Sequence, residues 1–305
     1  MMPTVLLAGG TGLIGQALSK KLIKKGYDVA VLSRTNSNNS HIQSYMWNID
    51  KNQIQDEAIE TADFIVNLAG TNIGEKKWTT DRKNEIIASR VKSTNLIFEK
   101  IKDHDKKINA YISASAIGYY GAITSEKIHI ETDHPSEDFL GTTCQKWEQS
   151  ATQFDEIGIR TVKIRTGVVL SANGGGLEKM ITPIKLGIGS AIGSGNQYMP
   201  WIHVDDLCEI YVKAIEDSQM NGAYNAVAPD FSTNYEFTKT LAQVLGKPLW
   251  FPKVPELLMK FIFGEMAEII LKGSRVSSEK IQHAGFRFQF PNLENALRDL
   301  IEEKE

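Results

Sequence analysis

Residues Val5–Ala8 form a short apolar run that breaks at once into Gly9-Gly10-Thr11-Gly12-Leu13-Ile14-Gly15, and a helical pattern follows directly. A strand that enters a glycine turn and leaves as a helix belongs to a layered α/β unit, because the helix must bury one face on the sheet. The turn also presents unpaired backbone N–H groups and the positive end of a helix dipole, which together suit a pyrophosphate. Gly9, Gly12 and Gly15 are spaced G-x-x-G-x-x-G, not the G-x-G-x-x-G of most dehydrogenases. In strand–turn–helix context the triad marks a dinucleotide site.

The alternation continues along the chain. Short runs rich in Val, Ile or Leu predict strands at Thr4–Ala8, Asp28–Ser33, Phe64–Asn67, Ala110–Ser115 and Arg160–Thr166. Helical patterns lie between them at Leu13–Lys25, Thr79–Lys102 and Phe139–Glu156. The expected fold is α/β, a doubly wound parallel Rossmann sheet. After Thr166 glycines crowd the chain, so loops are expected around short elements. A strand at Trp201–His203, a helix from Val204 and a strand at Tyr224–Val227 complete the sheet. Asp205 or Asp206 is the expected cap of that helix. Residues 1–229 then form the dinucleotide-binding domain, and 230–305 a smaller C-terminal α/β lobe over the cofactor.

Bulk properties narrow the partners. A net charge of −3 offers no basic field for nucleic acid or an anionic membrane. No apolar stretch is long enough to span a bilayer, since Lys260, Glu265 and Glu268 interrupt Val254–Leu271. No leader pattern precedes the first strand. Cys144 and Cys208 form no disulfide framework, and no His, Cys, Asp or Glu cluster has metal spacing, so a metal-free cytoplasmic protein is expected.

The second strand ends V-L-S-R-T, which puts Ser33 and Arg34 where NAD-binding folds carry an acid for the ribose 2′-hydroxyl. A guanidinium there grips a 2′-phosphate, which points to NADP(H).

Further motifs follow in order: N-L-A-G at Asn67–Gly70, S-A-S-A-I-G-Y-Y-G at Ser113–Gly121, R-T-G-V-V-L at Arg165–Leu170, and P-W-I-H-V-D-D-L at Pro200–Leu207. The tail carries R-V-S-S-E-K-I-Q-H-A-G-F-R-F-Q-F-P-N-L-E-N-A-L from Arg275 to Leu297. Over nearly its whole length the chain resembles the extended short-chain dehydrogenase/reductases, and within them the atypical epimerase family proteins. The resemblance implies that Gly9, Thr11, Gly12, Leu13 and Ile14 meet the pyrophosphate, and that Ser33 and Arg34 meet the 2′-phosphate. It brings Leu68 and Ala69 to the adenine-side ribose with Gly70 beside them, and Glu85 and Arg90 to the cofactor from the following helix. Val169 is placed near the nicotinamide end, and Asn48 is a candidate for the adenine edge. Relatives are often dimers, so a monomer or homodimer is expected.

The resemblance also implies a Ser-Tyr-Lys catalytic set, and here the chain departs from it. Ser115 is kept, but Leu140 and Cys144 stand where the tyrosine and lysine belong. A lone Y-x-x-x-K at Tyr235 and Lys239 falls in a tail helix, far from Ser115. Tyr119 and Tyr120 are the candidate replacements, acting as proton donors if a nearby charge such as Arg90 lowers their pKa. Two functions stay open: an NADP(H)-dependent oxidoreductase or epimerase for a small carbonyl or sugar-like substrate, and a catalytically silent NADPH-binding sensor or partner-binding module.

Overall fold

The computed structural model of the chain describes residues 2–35 and 42–302. From the N-terminus run β1 (Thr4–Ala8), α1 (Leu13–Lys24), β2 (Asp28–Ser33), β3 (Gln43–Asn48), β4 (Gln53–Ile54), α2 (Asp56–Glu60), β5 (Phe64–Asn67), α3 (Thr80–Asp103) and β6 (Ala110–Ala116). Then come β7 (Ile128–His129), α4 (Phe139–Glu156), β8 (Arg160–Thr166), β9 (Val168–Leu170), α5 (Gly176–Lys185), β10 (Trp201–His203), α6 (Val204–Glu216) and β11 (Gly222–Ala226). The tail holds α7 (Asn234–Val244), α8 (Glu256–Phe263), α9 (Glu268–Leu271), β12 (Arg275–Val276), α10 (Glu279–His283) and α11 (Leu293–Glu302).

Among the described residues one sheet has eight strands in the order β11-β8-β6-β5-β1-β2-β3-β4. Every pairing in it is parallel except β3 with β4. The doubly wound Rossmann architecture is therefore present. Side chains alternate across it as the period of a strand requires. Val5 and Leu7 enter one core with Leu18 and Leu22 of α1 and the buried side of α6. Leu6 and Ala8 enter the other with Leu96, Ile97 and Ile101 of α3 and Phe154 of α4. A third core joins Leu177 and Ile181 of α5, Phe237 and Leu241 of α7, and Leu293, Leu297 and Leu300 of α11.

Three details depart from the sequence reading. The strand Gln43–Asn48 was not expected. Trp201–His203 does not join the main sheet: it pairs with Val168–Leu170 in a two-stranded sheet of its own. The cap of α6 is neither aspartate. His203 holds that position, its Nδ1 accepting from the Asp205 backbone N–H at 3.1 Å. Asp206 instead clamps the tail, accepting from the Gln289 and Phe290 N–H groups at 2.8 and 3.0 Å. The His203 ring lies 3.9 Å from that of Phe290, so cap and clamp hold the same tail segment. No helix among the described residues is long and apolar enough to cross a membrane.

Burial holds the pKa of His203 below its ordinary 6.5, although Asp205, Asp299 and Asp206 all favour the charged form. The unfolded chain therefore takes up the proton first as pH falls, and the histidine's contribution to stability is complete above that value and lost below it. Urea unfolding should show stability declining from about pH 7.5 to about pH 5.5, with a shallower decline in His203→Asn, which keeps a capping side chain. An unchanged slope in the variant would contradict this assignment.

Candidate functional site

The chain begins at the middle of the sheet, moves outward through β2 and β3, and then returns to lay β5 on the other side of β1. That reversal opens a crevice beyond the carboxyl ends of β1 and β5. Gly9 sits at its mouth with φ of 80°. A Cβ there would lie 2.9 Å from the Leu68 carbonyl carbon and 3.0 Å from the Ala69 nitrogen, so only glycine lets these backbones meet. Gly15 serves helix packing: its Cβ would fall 2.4 Å from the Gly9 oxygen. Gly12 caps α1 with no side chain, which leaves the first turn at Leu13 and Ile14 available to an anion. On the far side, Asn67 braces the N-L-A-G turn: its Oδ1 accepts from the Ala69 N–H at 3.0 Å, and its Nδ2 donates to the Tyr111 hydroxyl at 2.9 Å.

A cleft of about 990 Å³ beside this mouth gathers Arg34, Asn48, Thr71, Glu85, Ser89 and Lys92. It unites three residues that the sequence proposes separately, Arg34, Asn48 and Glu85. Thr71, Ser89 and Lys92 were missed. Ser89 and Lys92 could have been found from Glu85, since spacings of four and seven along α3 repeat one helix face. Ser33 is buried, and its Oγ accepts from the Thr35 N–H at 3.2 Å, which shapes the turn that exposes Arg34. Arg82 donates to Glu85 at 2.8 Å and holds that carboxyl below its usual range. Arg90 does not line this cleft but lies against Gly70, its Cζ 3.1 Å from where a Gly70 Cβ would be. Its Nη1 donates to the carbonyls of Thr71 and Ile86, and its guanidinium stacks 4.9 Å from the Trp147 ring.

At the ends of β6, β8 and β11, Ser115, Arg165 and Asn225 stand side by side in register. Above them, Glu148 of α4 takes Arg165 Nε and Nη2 on its two oxygens, both at 2.8 Å. Ser115 Oγ donates to Glu148 at 2.7 Å. Arg165 Nη1 donates to the Tyr120 hydroxyl at 3.0 Å, and that hydroxyl donates to Asn225 Oδ1 at 2.7 Å. The Tyr119 ring lies 3.4 Å under the same guanidinium. The cation beside the two tyrosines is thus Arg165, where the sequence reading looked to Arg90. Burial pushes the Tyr120 pKa up to about 12 against the pull of Arg165, and raises that of Tyr119 also. Burial opposes charge on Arg165, yet Glu148 outweighs it and its pKa is raised.

Neither Ser115 nor the tyrosines line the adjoining cavity of about 390 Å³. Its walls are Ala116, Ile117 and Gly118, then Leu140, then Thr166, Gly167 and Val168, closed by Met180, Met199 and Ile269–Ile270 of the tail. Tyr119 and Tyr120 pack behind two of these wall residues, Ile117 and Val276. Val168 lines the cavity, while Val169 packs against the core. Cys144 lies 3.7 Å from a Gly118 Cβ, and burial pushes its pKa up to about 12, so it holds no reactive thiolate. Tyr235 is exposed on α7, with the Lys253 ammonium 6.0 Å above its ring. No group of three or more His, Cys, Asp or Glu among the described residues is placed to hold a metal ion.

Comparison with known proteins adds three findings. The pattern of the NAD dependent epimerase/dehydratase family matches residues 5–226, and a domain of unknown function (DUF1731) matches 254–300. Two curated relatives are the mouse epimerase family protein SDR39U1, 33% identical over 97% of this chain and 99% of its own, and Bacillus subtilis YfhF, 34% identical over 98% of each. The crystal structure of human SDR39U1 (isoform 2) with NADPH superposes with a TM-score of 0.87 at 31% identity, covering 98% of this chain and 99% of that one.

Removing one partner of the Arg165–Glu148 pair strands a buried charge. Glu148→Ala should lower stability to urea by about 3–5 kcal/mol, and the double variant Glu148→Leu/Arg165→Met should lose less than the single one. A single variant as stable as the parent would show that the pair holds nothing together.

Proposed function

The chain belongs to the NAD dependent epimerase/dehydratase family, and from that premise we propose that it binds NADP(H) in the crevice and uses it on a small carbonyl compound. The observation that carries the reading is a row of fitting parts at the carboxyl ends of the strands. Arg34 stands at the end of β2, the uncapped α1 at the end of β1, and the cavity at the ends of β6 and β8. The NADPH in the human relative supports the same cofactor.

Arg34, with Lys92 in the same cleft, would hold the 2′-phosphate, and Asn48 and Glu85 would stand at the adenine side. Thr11, Gly12, Leu13 and Ile14 would supply N–H groups to the pyrophosphate. Leu68, Ala69 and Gly70 would floor the ribose, with Arg90 beneath, and Val169 would back the nicotinamide end through Val168. When bound, the reduced nicotinamide supplies a hydride. The protein's part is to orient the acceptor carbon and exclude water. Residues 230–305 serve as the substrate lobe.

In this reading the reaction runs without the usual Tyr-Lys dyad, because Leu140 walls the cavity and Cys144 is buried behind Gly118. Ser115, Tyr119 and Tyr120 then act by positioning: they fix the β6 turn that presents Ala116–Gly118 to the cavity. The same two replacements favour the second reading, a cofactor-binding sensor without turnover.

Arg34→Asp should weaken NADPH binding roughly 10- to 100-fold, the loss of one or two charge-assisted bonds, and leave NADH binding nearly unchanged. Equal affinity of the parent chain for both cofactors would overturn the assignment. Turnover separates the two readings. NADPH oxidation against a carbonyl panel should be slowed by Ser115→Ala and Tyr120→Phe, and unaffected by Tyr235→Phe. Silence across the panel with NADPH bound would leave the sensor.

A further inference from the structure

Resting on the cofactor reading above, we infer that the cavity selects a compact, largely apolar, uncharged carbonyl compound and excludes nucleotide sugars. Three observations carry this. The walls are hydrocarbon: Ile117, Leu140, Val168, Met180, Met199 and Ile269 face the space, from both the sheet side and the tail. Such a surface stabilises an apolar body and gives no return for the hydroxyls of a sugar, each of which would leave water without a partner.

The second observation concerns anions. A nucleotide diphosphate needs cations placed for it, as bidentate arginines or a cluster of donors. Of the lining residues only Lys272 is cationic, and Glu268, one helical turn earlier, sets a carboxylate on the same lining. The two arginines next in sequence to lining residues, Arg165 and Arg275, are already engaged. Arg165 is spent on Glu148. Arg275 is held by Glu126 at 2.8 Å and by the Tyr198 hydroxyl at 2.6 Å.

The third is size. About 390 Å³ stands near the low end of ligand cavities, which run from about 300 to 1,000 Å³, and the nicotinamide end must share it. What remains suits a short acyl or aryl body with one polar end directed at the rim. Thr166, Tyr198, Asn234 and Ser274 provide the uncharged polar side chains there.

The test is calorimetric titration with straight-chain methyl ketones of four, six and eight carbons, and with UDP-glucose, each run with and without saturating NADPH. Affinity should rise about fourfold per added methylene, and UDP-glucose should bind more weakly than the eight-carbon ketone. Ile269→Glu, on a residue already 39% exposed, and Met180→Glu should each cut eight-carbon ketone binding at least about tenfold and leave NADPH affinity unchanged. Ketone affinities without a chain-length trend or indifferent to both substitutions, or UDP-glucose binding more tightly than the ketones, would overturn the inference even with NADPH bound. The ketone trend in a chain that binds no NADPH would support the cavity assignment and overturn the cofactor reading instead.

Discussion

The Arg165–Glu148 pair is the joint that the site is built around. In an interior parallel strand both faces are normally apolar, and a guanidinium there is costly unless every N–H is met. Here Glu148 takes two of them, and Tyr120 and the Glu131 carbonyl share another. The consequences reach four elements. Ser115 ties the end of β6 to α4, Asn225 carries the network to β11, and Asn225 Nδ2 continues it to the Ser277 carbonyl of the tail at 3.0 Å. With its charged groups consumed internally, this layer turns Ala116, Ile117 and Gly118 of the β6 end, with Thr166 of β8, toward the cavity.

The two ends of the crevice are consequently unlike. Around Arg34 it is broad and lined with charge and hydrogen-bonding groups, suited to a phosphorylated nucleoside. At the ends of β6 and β8 a second, smaller cavity is walled largely by hydrocarbon. The glycine turn follows β1, which stands between β2 and β6 in the strand order. The contact of Gly9 with the Leu68–Ala69 backbone fixes how near a ligand in the crevice can come to the sheet.

Much of this was legible in the sequence, for physical reasons. Strands buried on both faces must be apolar runs, so β1, β2, β5 and β8 stand at the residues expected for them. Gln43–Asn48 escaped because it lies near the sheet edge, where Q-S-Y-M-W-N mixes polar and aromatic residues without a clear period. Arg34 was readable because the end of the second strand, about 20 positions past the glycine turn, has one topological place. The Glu148–Arg165 pair was not, since the two lie on different elements and only the packing of α4 over β6 and β8 brings them together. His203 as a cap was hidden by two neighbouring aspartates with higher capping propensity, one of which is spent on the tail. The cavity was invisible for a similar reason, as its wall is assembled from residues far apart in the chain, about a third of them from the tail.

The central claim is that one crevice holds NADP(H) with its phosphate at Arg34 and its nicotinamide opening on an apolar cavity. A crystal structure of the chain with NADPH tests it most directly. The 2′-phosphate should lie within hydrogen-bond distance of the Arg34 guanidinium, and the nicotinamide C4 should face the space between Ile117, Val168 and Met199. A 2′-phosphate clear of Arg34, or a nicotinamide turned away from that cavity, would contradict it.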